Sequence, residues 1–295
     1  MTIKVTARIL KYIFCLSVFC FFSAEISAQK KDSYKSLLWK ISRYDLTHES
    51  YLFGTMHAKE KAIFNFSENF NKAFNNAETF AMEIALESDM YTGIFNMMMA
   101  DENYNIHNYL SNAEYAKLDN WLKKEYGFKL KMFEKIKPIF LYVMTNKASM
   151  GMRNEPFLDE YLAREAEAKG KEVVGLETME EQVAALDNIS LEEQFKMILQ
   201  SIDHQKKEEK AFEKLLKTYM KQDLDKMLKL IQESSISEVS YKKLINERNI
   251  TMTQRILPLL KEKSTFVAVG AGHLPGEQGI VNLLRKQGYA VEPIK

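Results

Sequence analysis

Cysteine is nearly missing from this sequence. The 295-residue chain has two, Cys15 and Cys20, and both lie inside an apolar N-terminal stretch. Beyond that stretch no thiol remains. Cysteine nucleophiles, thiolate metal centres, iron–sulfur clusters and disulfide frameworks are therefore excluded there. A chain of this length can bury a full core without such staples. Charge of one sign is lacking too: 41 basic residues meet 40 acidic ones, for a formal net charge of +1. That balance supplies no electrostatic case for nucleic acid or an anionic membrane surface as a partner. With 5 prolines and 11 glycines, no linker or low-complexity segment divides the chain. Several enzyme signatures are absent: His-Glu-x-x-His, Gly-x-Ser-x-Gly, the P-loop and the dinucleotide Gly-x-Gly-x-x-Gly.

The apolar stretch itself is informative. Lys4, Arg8 and Lys11 precede an uncharged run over residues 12–24, and Ile26-Ser27-Ala28 follows as a small-residue cleavage site. The run is shorter than the roughly 20 residues of a transmembrane helix. Residues 1–28 read as a cleaved signal peptide. The expectation is an exported protein, periplasmic or extracellular, with no stable membrane insertion after cleavage. Residues 29–295 are expected to form a single domain. Loss of Lys4, Arg8, Lys11 and Glu25 would take the net charge from +1 to −1.

Strand patterns gather towards the two ends. Residues 37–41 and 50–54 are apolar runs around a polar turn and predict a hairpin. Further strands are expected over residues 79–86, 172–176, 265–269 and 290–294. Between them the pattern is helical. Ser111/Glu114, Thr178/Glu181 and Ser190/Glu193 are capping-box pairs, Pro138 opens a helix over 139–152, and residues 190–263 are almost continuously helical. Turns are expected near residues 222–223 and 234–237, and a short helix over 276–286. The fold class predicted is mixed α/β: a central mixed sheet from the N- and C-terminal parts, with a large, mostly helical middle.

Two segments resemble each other. Tyr51-Leu52-Phe53-Gly54-Thr55-Met56-His57 and Val267-Ala268-Val269-Gly270-Ala271-Gly272-His273 are each an apolar strand running into Gly-x-x-His. Such a motif sets an imidazole at the end of a strand, where open α/β sheets bind ligands. Neutral imidazole is a metal ligand and a general base. Glu83 interrupts an otherwise apolar strand, a costly place for a carboxylate unless it is paired or coordinates something. Glu177 ends the next strand and is positioned for the same crevice or for a helix start. Arg248 is a candidate to bind an anion or to pair with Glu83. Asp159 reads as a helix cap. His48, His107 and His204 sit in polar contexts without a role.

With these residues the chain resembles the TraB/GumN family, to which the TIKI metalloproteases are related. The resemblance rests on the two Gly-x-x-His segments, on Glu83, on Gly175-Leu176-Glu177-Thr178, on Arg248-Asn249 and on Leu274-Pro275-Gly276. It implies a fold of two β–α halves around a central sheet, of the erythromycin-esterase and ChaN-like kind. It also implies metal-dependent proteolysis carried by His57, Glu83 and His273, with manganese or cobalt favoured. The reading preferred here is a divalent-metal hydrolase acting on peptides or proteins. His57, Glu83 and His273 would hold manganese, cobalt or zinc, and Glu83, Glu177 and Arg248 would be catalytic, as base, outer partner or oxyanion stabiliser. Two alternatives remain open: a metal-free hydrolase of esterase type with His57 as general base, and a haem- or ligand-binding module using the same pocket.

Overall fold

Five of the six strands run in one direction, and that arrangement positions everything else. The computed structural model describes residues 34–58, 60–85, 96–145, 156–233 and 241–295. The strands are β1 (Leu38–Ser42), β2 (Ser50–Thr55), β3 (Thr79–Met82), β4 (Glu172–Gly175), β5 (Thr265–Gly270) and β6 (Ala290–Ile294). They lie in one sheet in the order β4-β3-β5-β2-β1-β6. The β1–β2 hairpin is antiparallel, with Trp39 opposite Leu52, and β1 is also antiparallel to β6. The pairs β2–β5, β5–β3 and β3–β4 are parallel. The mixed sheet with helices around it is the α/β fold class expected, with β4 contributed by the middle of the chain.

Burial follows from that topology. Every residue of β2 and of β3, and all of β5 up to Val269, is buried, because parallel strands are covered on both faces. Phe266 is the centre of an aromatic cluster with Phe53, Phe70, Phe74 and Phe80. The helical middle has a second core, built on Leu118, Trp121, Leu122, Leu141, Phe195 and Ile198. Residues 34–295 form one compact unit. Among the described residues no helix is long and apolar enough to cross a membrane.

The local signals account for the helix starts. Ser111 and Glu114 form a reciprocal capping box before α2 (Asn112–Tyr126), as do Thr178 and Glu181 before α5 (Met179–Asp187). Ser190 accepts from the Glu193 N–H at the start of α6 (Leu191–Asp203). The other helices that matter here are α1 (Glu68–Asn76), α3 (Pro138–Thr145), α4 (Leu158–Ala168), α7 (Gln205–Met220), α8 (Leu224–Gln232), α9 (Arg248–Glu262) and α10 (Ile280–Lys286). The turn at residues 222–223 is present, with Gln222 at φ 54.

Three expectations change. The strand expected to run to residue 86 ends at Met82, so Glu83 lies just past the sheet rather than within a buried strand. Its carboxylate is drawn to partners on β5 and α9, and the chain leaves the sheet there. The strand expected to end at residue 176 ends at Gly175. Helical character before Arg248 is not plain α-helix but a π-helical turn over Lys242–Glu247. The signal segment, the turn at 234–237 and the end of the helix over 139–152 lie outside the described residues.

Candidate functional site

The carboxyl ends of β2, β3, β4 and β5 all open on the same edge of the sheet, and each is followed within three residues by one of the singled-out side chains. His57 follows β2, Glu83 follows β3, Glu177 follows β4 and His273 follows β5. This is the edge where parallel sheets bind ligands, since the strands end there and the loops diverge. The two Gly-x-x-His segments lie on neighbouring parallel strands one residue out of register: Gly54 pairs with Val269 and Thr55 with Gly270.

The glycines of the two motifs have separate reasons. A Cβ on Gly54 would sit 3.0 Å from both Cα and Cβ of Ala271, so β2 can approach the turn after β5 only without a side chain there. A Cβ on Gly270 would sit 3.1 Å from Glu83 Oε1 and 3.4 Å from His273 Cδ2. Gly270 therefore leaves room for the carboxylate and the ring at once.

Glu83 is the hub. Its Oε1 accepts from the Gly270 N–H at 2.7 Å, and its Oε2 accepts from Arg248 Nη2 at 2.7 Å. His273 Nε2 lies 3.8 Å from Oε1. Arg248 also binds Glu177 through Nε at 3.0 Å and Nη2 at 2.6 Å, and donates Nη1 to the Leu244 carbonyl at 3.2 Å. Burial alone would raise the Glu83 pKa. His273, which is protonated in the acid range where Glu83 titrates, Arg248, the Gly270 N–H and His57 together outweigh it and hold Glu83 at about 2. Arg248 thus bridges Glu83 and Glu177, which are 15% and 3% exposed. Glu177 faces a different cleft from Glu83, beside Glu181, Lys243 and Glu247.

The two histidines differ in state. His273 is buried, and burial pushes its pKa down to about 4, so the ring is neutral near pH 7. Its Nδ1 sits 2.6 Å from Asn249 Oδ1, which makes Nδ1 the protonated nitrogen and leaves Nε2 unprotonated towards Glu83. Asn249 is itself held by donating to the Gln278 carbonyl at 2.7 Å. His57 is 70% exposed, and its Nδ1 lies 2.7 Å from Asp159 Oδ2. That carboxylate raises the His57 pKa to about 9, so its ring is cationic near pH 7. Thr55 donates to the other oxygen of Asp159, and Tyr219 donates to the Gly54 carbonyl at 2.9 Å. His57, Glu83 and Asp159 line one cleft of about 190 Å³.

Three participants have roles that were not read from the sequence. Asp159 is not a cap: the N-cap of α4 is Phe157, without a side-chain cap bond, and Asp159 turns to Thr55 and His57. Thr55 and Asn249 carry no chemistry of their own and announce themselves only through partners distant in sequence. His48, Nε2 3.0 Å from the Leu260 carbonyl, and His107, stacked on Tyr115, stand outside this crevice.

The family model described as TraB/PrgY/gumN matches residues 37–293. The chain belongs to the TraB/PrgY/gumN family. Among characterised relatives it is similar to the metalloprotease TIKI2 of Xenopus tropicalis, 27% identical over 90% of this chain and 61% of the relative. It is similar to the metalloprotease TIKI1 of the same frog, at 28% over 91% of this chain and 64% of the relative. It is also similar to the human metalloprotease TIKI1, at 26% over 92% and 64%. The chain therefore spans little more than six-tenths of the length of these relatives. No solved structure matches.

The relatives imply a divalent metal, and the residues of this family member fit one in kind. Two imidazoles and a carboxylate are a known ligand set. Each imidazole has Nδ1 against a side-chain oxygen, as metal-binding histidines usually do, which leaves Nε2 for coordination. Among the described residues, no group of three or more His, Cys, Asp or Glu stands close enough together to hold a metal ion as placed.

Proposed function

We propose that this TraB/PrgY/gumN protein is an exported, metal-dependent hydrolase that cleaves peptide bonds at the crevice of His57, Glu83 and His273. The observation that carries the reading is that each ring has Nδ1 engaged by a side-chain oxygen, with His273 Nε2 3.8 Å from Glu83 Oε1 and His57 lining the same cleft as Glu83. The relatives called metalloproteases and the pattern of residues 1–28 support it.

His57, His273 and Glu83 would hold the metal, manganese or cobalt before zinc. When bound, such an ion polarises a carbonyl and lowers the pKa of a water. The chain's own residues do the rest. Asn249 fixes the tautomer of His273. Asp159, steadied by Thr55, sets the ring plane of His57 and balances its charge. Arg248 and the Gly270 N–H orient Glu83. Glu177 acts through Arg248, since its carboxylate is spent on the guanidinium. His57 must release its proton before Nε2 can bind a cation, so metal affinity rises with pH.

A second reading has one observation in its favour. The His57–Asp159 pair is a carboxylate-oriented imidazole of the kind that serves as a general base without metal once the ring has lost the proton that it carries near pH 7. One experiment separates the two. The protein without residues 1–28 is stripped with a chelator and assayed on a peptide library, with manganese, cobalt or zinc restored. Activity lost on stripping and regained with metal is the expected result. Full activity in chelator would overturn the metal reading in favour of the dyad.

A further inference from the structure

The cleft that His57 and Glu83 line exposes mainly apolar surface. Met82 and Ile84 beside the end of β3, Phe157 before α4 and Met179 at the start of α5 supply it, and Asp159, Glu160 and Gln182 complete the lining. We propose that this cleft is a substrate subsite that accepts one uncharged, apolar side chain of a peptide, of the leucine, methionine or phenylalanine kind. The inference rests on the peptidase reading and adds the substrate class to it.

Size excludes a whole ligand. The cleft holds about 190 Å³, whereas pockets that enclose a small molecule run from about 300 to 1,000 Å³. It has room for one substituent, and the remainder of the substrate must lie outside. Position makes that substituent part of the reacting molecule. His57 and Glu83 both line the cleft, so a side chain seated there brings its own backbone to the edge where the strand ends converge.

Chemistry then sets the class. Asp159 and Glu160 lie on the wall, yet neither carboxylate is free for a cationic substrate. Asp159 is held between Thr55 and His57, and Glu160 is paired with Arg164 one helical turn on. Gln182 supplies a neutral amide at the margin. A lysine side chain entering here would lose water and meet only carboxylates that are already paired, and a glutamate would meet those carboxylates and a His57 cation already paired with Asp159, so both are disfavoured against an apolar side chain. Methionine walls adapt to side chains of differing shape, so a preference for the apolar class rather than for one residue is expected.

The experiment reads the cleft directly. The protein without residues 1–28 is labelled with ¹³C at the methionine methyl groups, with Met82 and Met179 assigned through M82L and M179L. It is titrated with N-acetyl amides of leucine, phenylalanine, methionine, lysine, glutamate and glycine. The leucine, phenylalanine and methionine amides should shift both methyl signals saturably, at least about 10-fold more tightly than the others, the usual scale for apolar pocket discrimination. M179L should keep that binding, and Met179→Lys should abolish the shift at Met82. Equal response to all six amides, or no response at either methionine, overturns the subsite. A parallel peptide assay separates the two proposals. Apolar binding without hydrolysis of any peptide leaves the apolar pocket standing and removes the peptidase reading. Hydrolysis without methyl shifts or apolar preference does the reverse.

Discussion

Asp159 and His57 lie 2.7 Å apart, Oδ2 to Nδ1, although about a hundred residues separate them and neither is on a strand of the sheet. The pair joins the start of α4 to the turn after β2. It makes His57 a cation in a crevice where the second histidine is neutral. Asp159→Asn should therefore bring the His57 pKa down from about 9 towards its ordinary 6.5, as read by NMR titration of the ring protons. The sign for stability follows. A histidine whose pKa is raised on folding contributes stability in full below 6.5 and loses it as pH rises through 9. His57 is 70% exposed, so the advantage of the native protein over the variant should stay near 1 kcal/mol at most at pH 6, and vanish by about pH 10. Identical ring titrations in the two proteins would contradict this pairing.

Arg248 is the second target. Arg248→Ala leaves two largely buried carboxylates, Glu83 and Glu177, without the guanidinium that both bind. Loss of one partner from a buried pair costs roughly 3–5 kcal/mol. Urea unfolding at pH 7 should show a fall of that order. The double variant E177Q/R248M should recover part of it, because one of the orphaned charges is gone. The Glu83 pKa is lowered on folding, so its contribution is present above 4.5 and is lost as pH falls through about 2. The gap between the native protein and Arg248→Ala should accordingly narrow in acid.

Asn249 tests how far the tautomer of His273 matters. Asn249→Ala removes the acceptor at Nδ1 and the donor to the Gln278 carbonyl, both in buried surroundings. Stability should fall by about 1–3 kcal/mol. If the metal reading holds, affinity for manganese or cobalt should fall about 10–100-fold, the usual effect of losing an outer partner of a ligand. Calorimetric titration with the metal gives that number independently of any substrate.

The two motif glycines should respond unequally to alanine. Gly54→Ala sets a Cβ against Cα and Cβ of Ala271, one residue past the end of the β2–β5 pairing. Gly270→Ala meets the end of the Glu83 side chain, which can turn aside. Overpacking of this kind costs about 1–3 kcal/mol. Thermal melting should place Gly54→Ala nearer the top of that range, and Gly270→Ala should lose activity out of proportion to its loss of stability. The opposite ranking would mean that Gly270, not Gly54, carries the close approach.

Much of this architecture was legible in the sequence, and for identifiable reasons. The runs at residues 50–54 and 265–269 mark buried strands because they carry no charge and have a polar residue only at their first position, and β6 was expected over the residues it occupies. Capping boxes mark helix starts because their bonds span only three residues. What escaped depends on contacts distant in sequence. Asp159 beside a helix start looks like any acidic first-turn residue until β2 is packed against α4. Asn249 looks like a polar helix residue until β5 carries His273 to it. The early end of β3 was hidden because Ile84 and Ala85 continue the apolar pattern, and only the partners of Glu83 pull the chain away. The π-helical turn over Lys242–Glu247 breaks the α-helical period that a helix-based reading assumes.

The place of β6 has a bearing on biosynthesis. This strand lies at the edge of the sheet against β1, with Leu38 opposite Ile294, and the Ser36 hydroxyl donates to the Ile294 carbonyl. β5, in the centre, comes almost as late in the chain. The growing polypeptide therefore makes its hairpin and its helices early, but it cannot assemble the sheet until nearly the whole chain has left the ribosome. Pairings this distant in sequence form slowly. For the exported protein proposed above, that delay would leave the chain unfolded for the crossing.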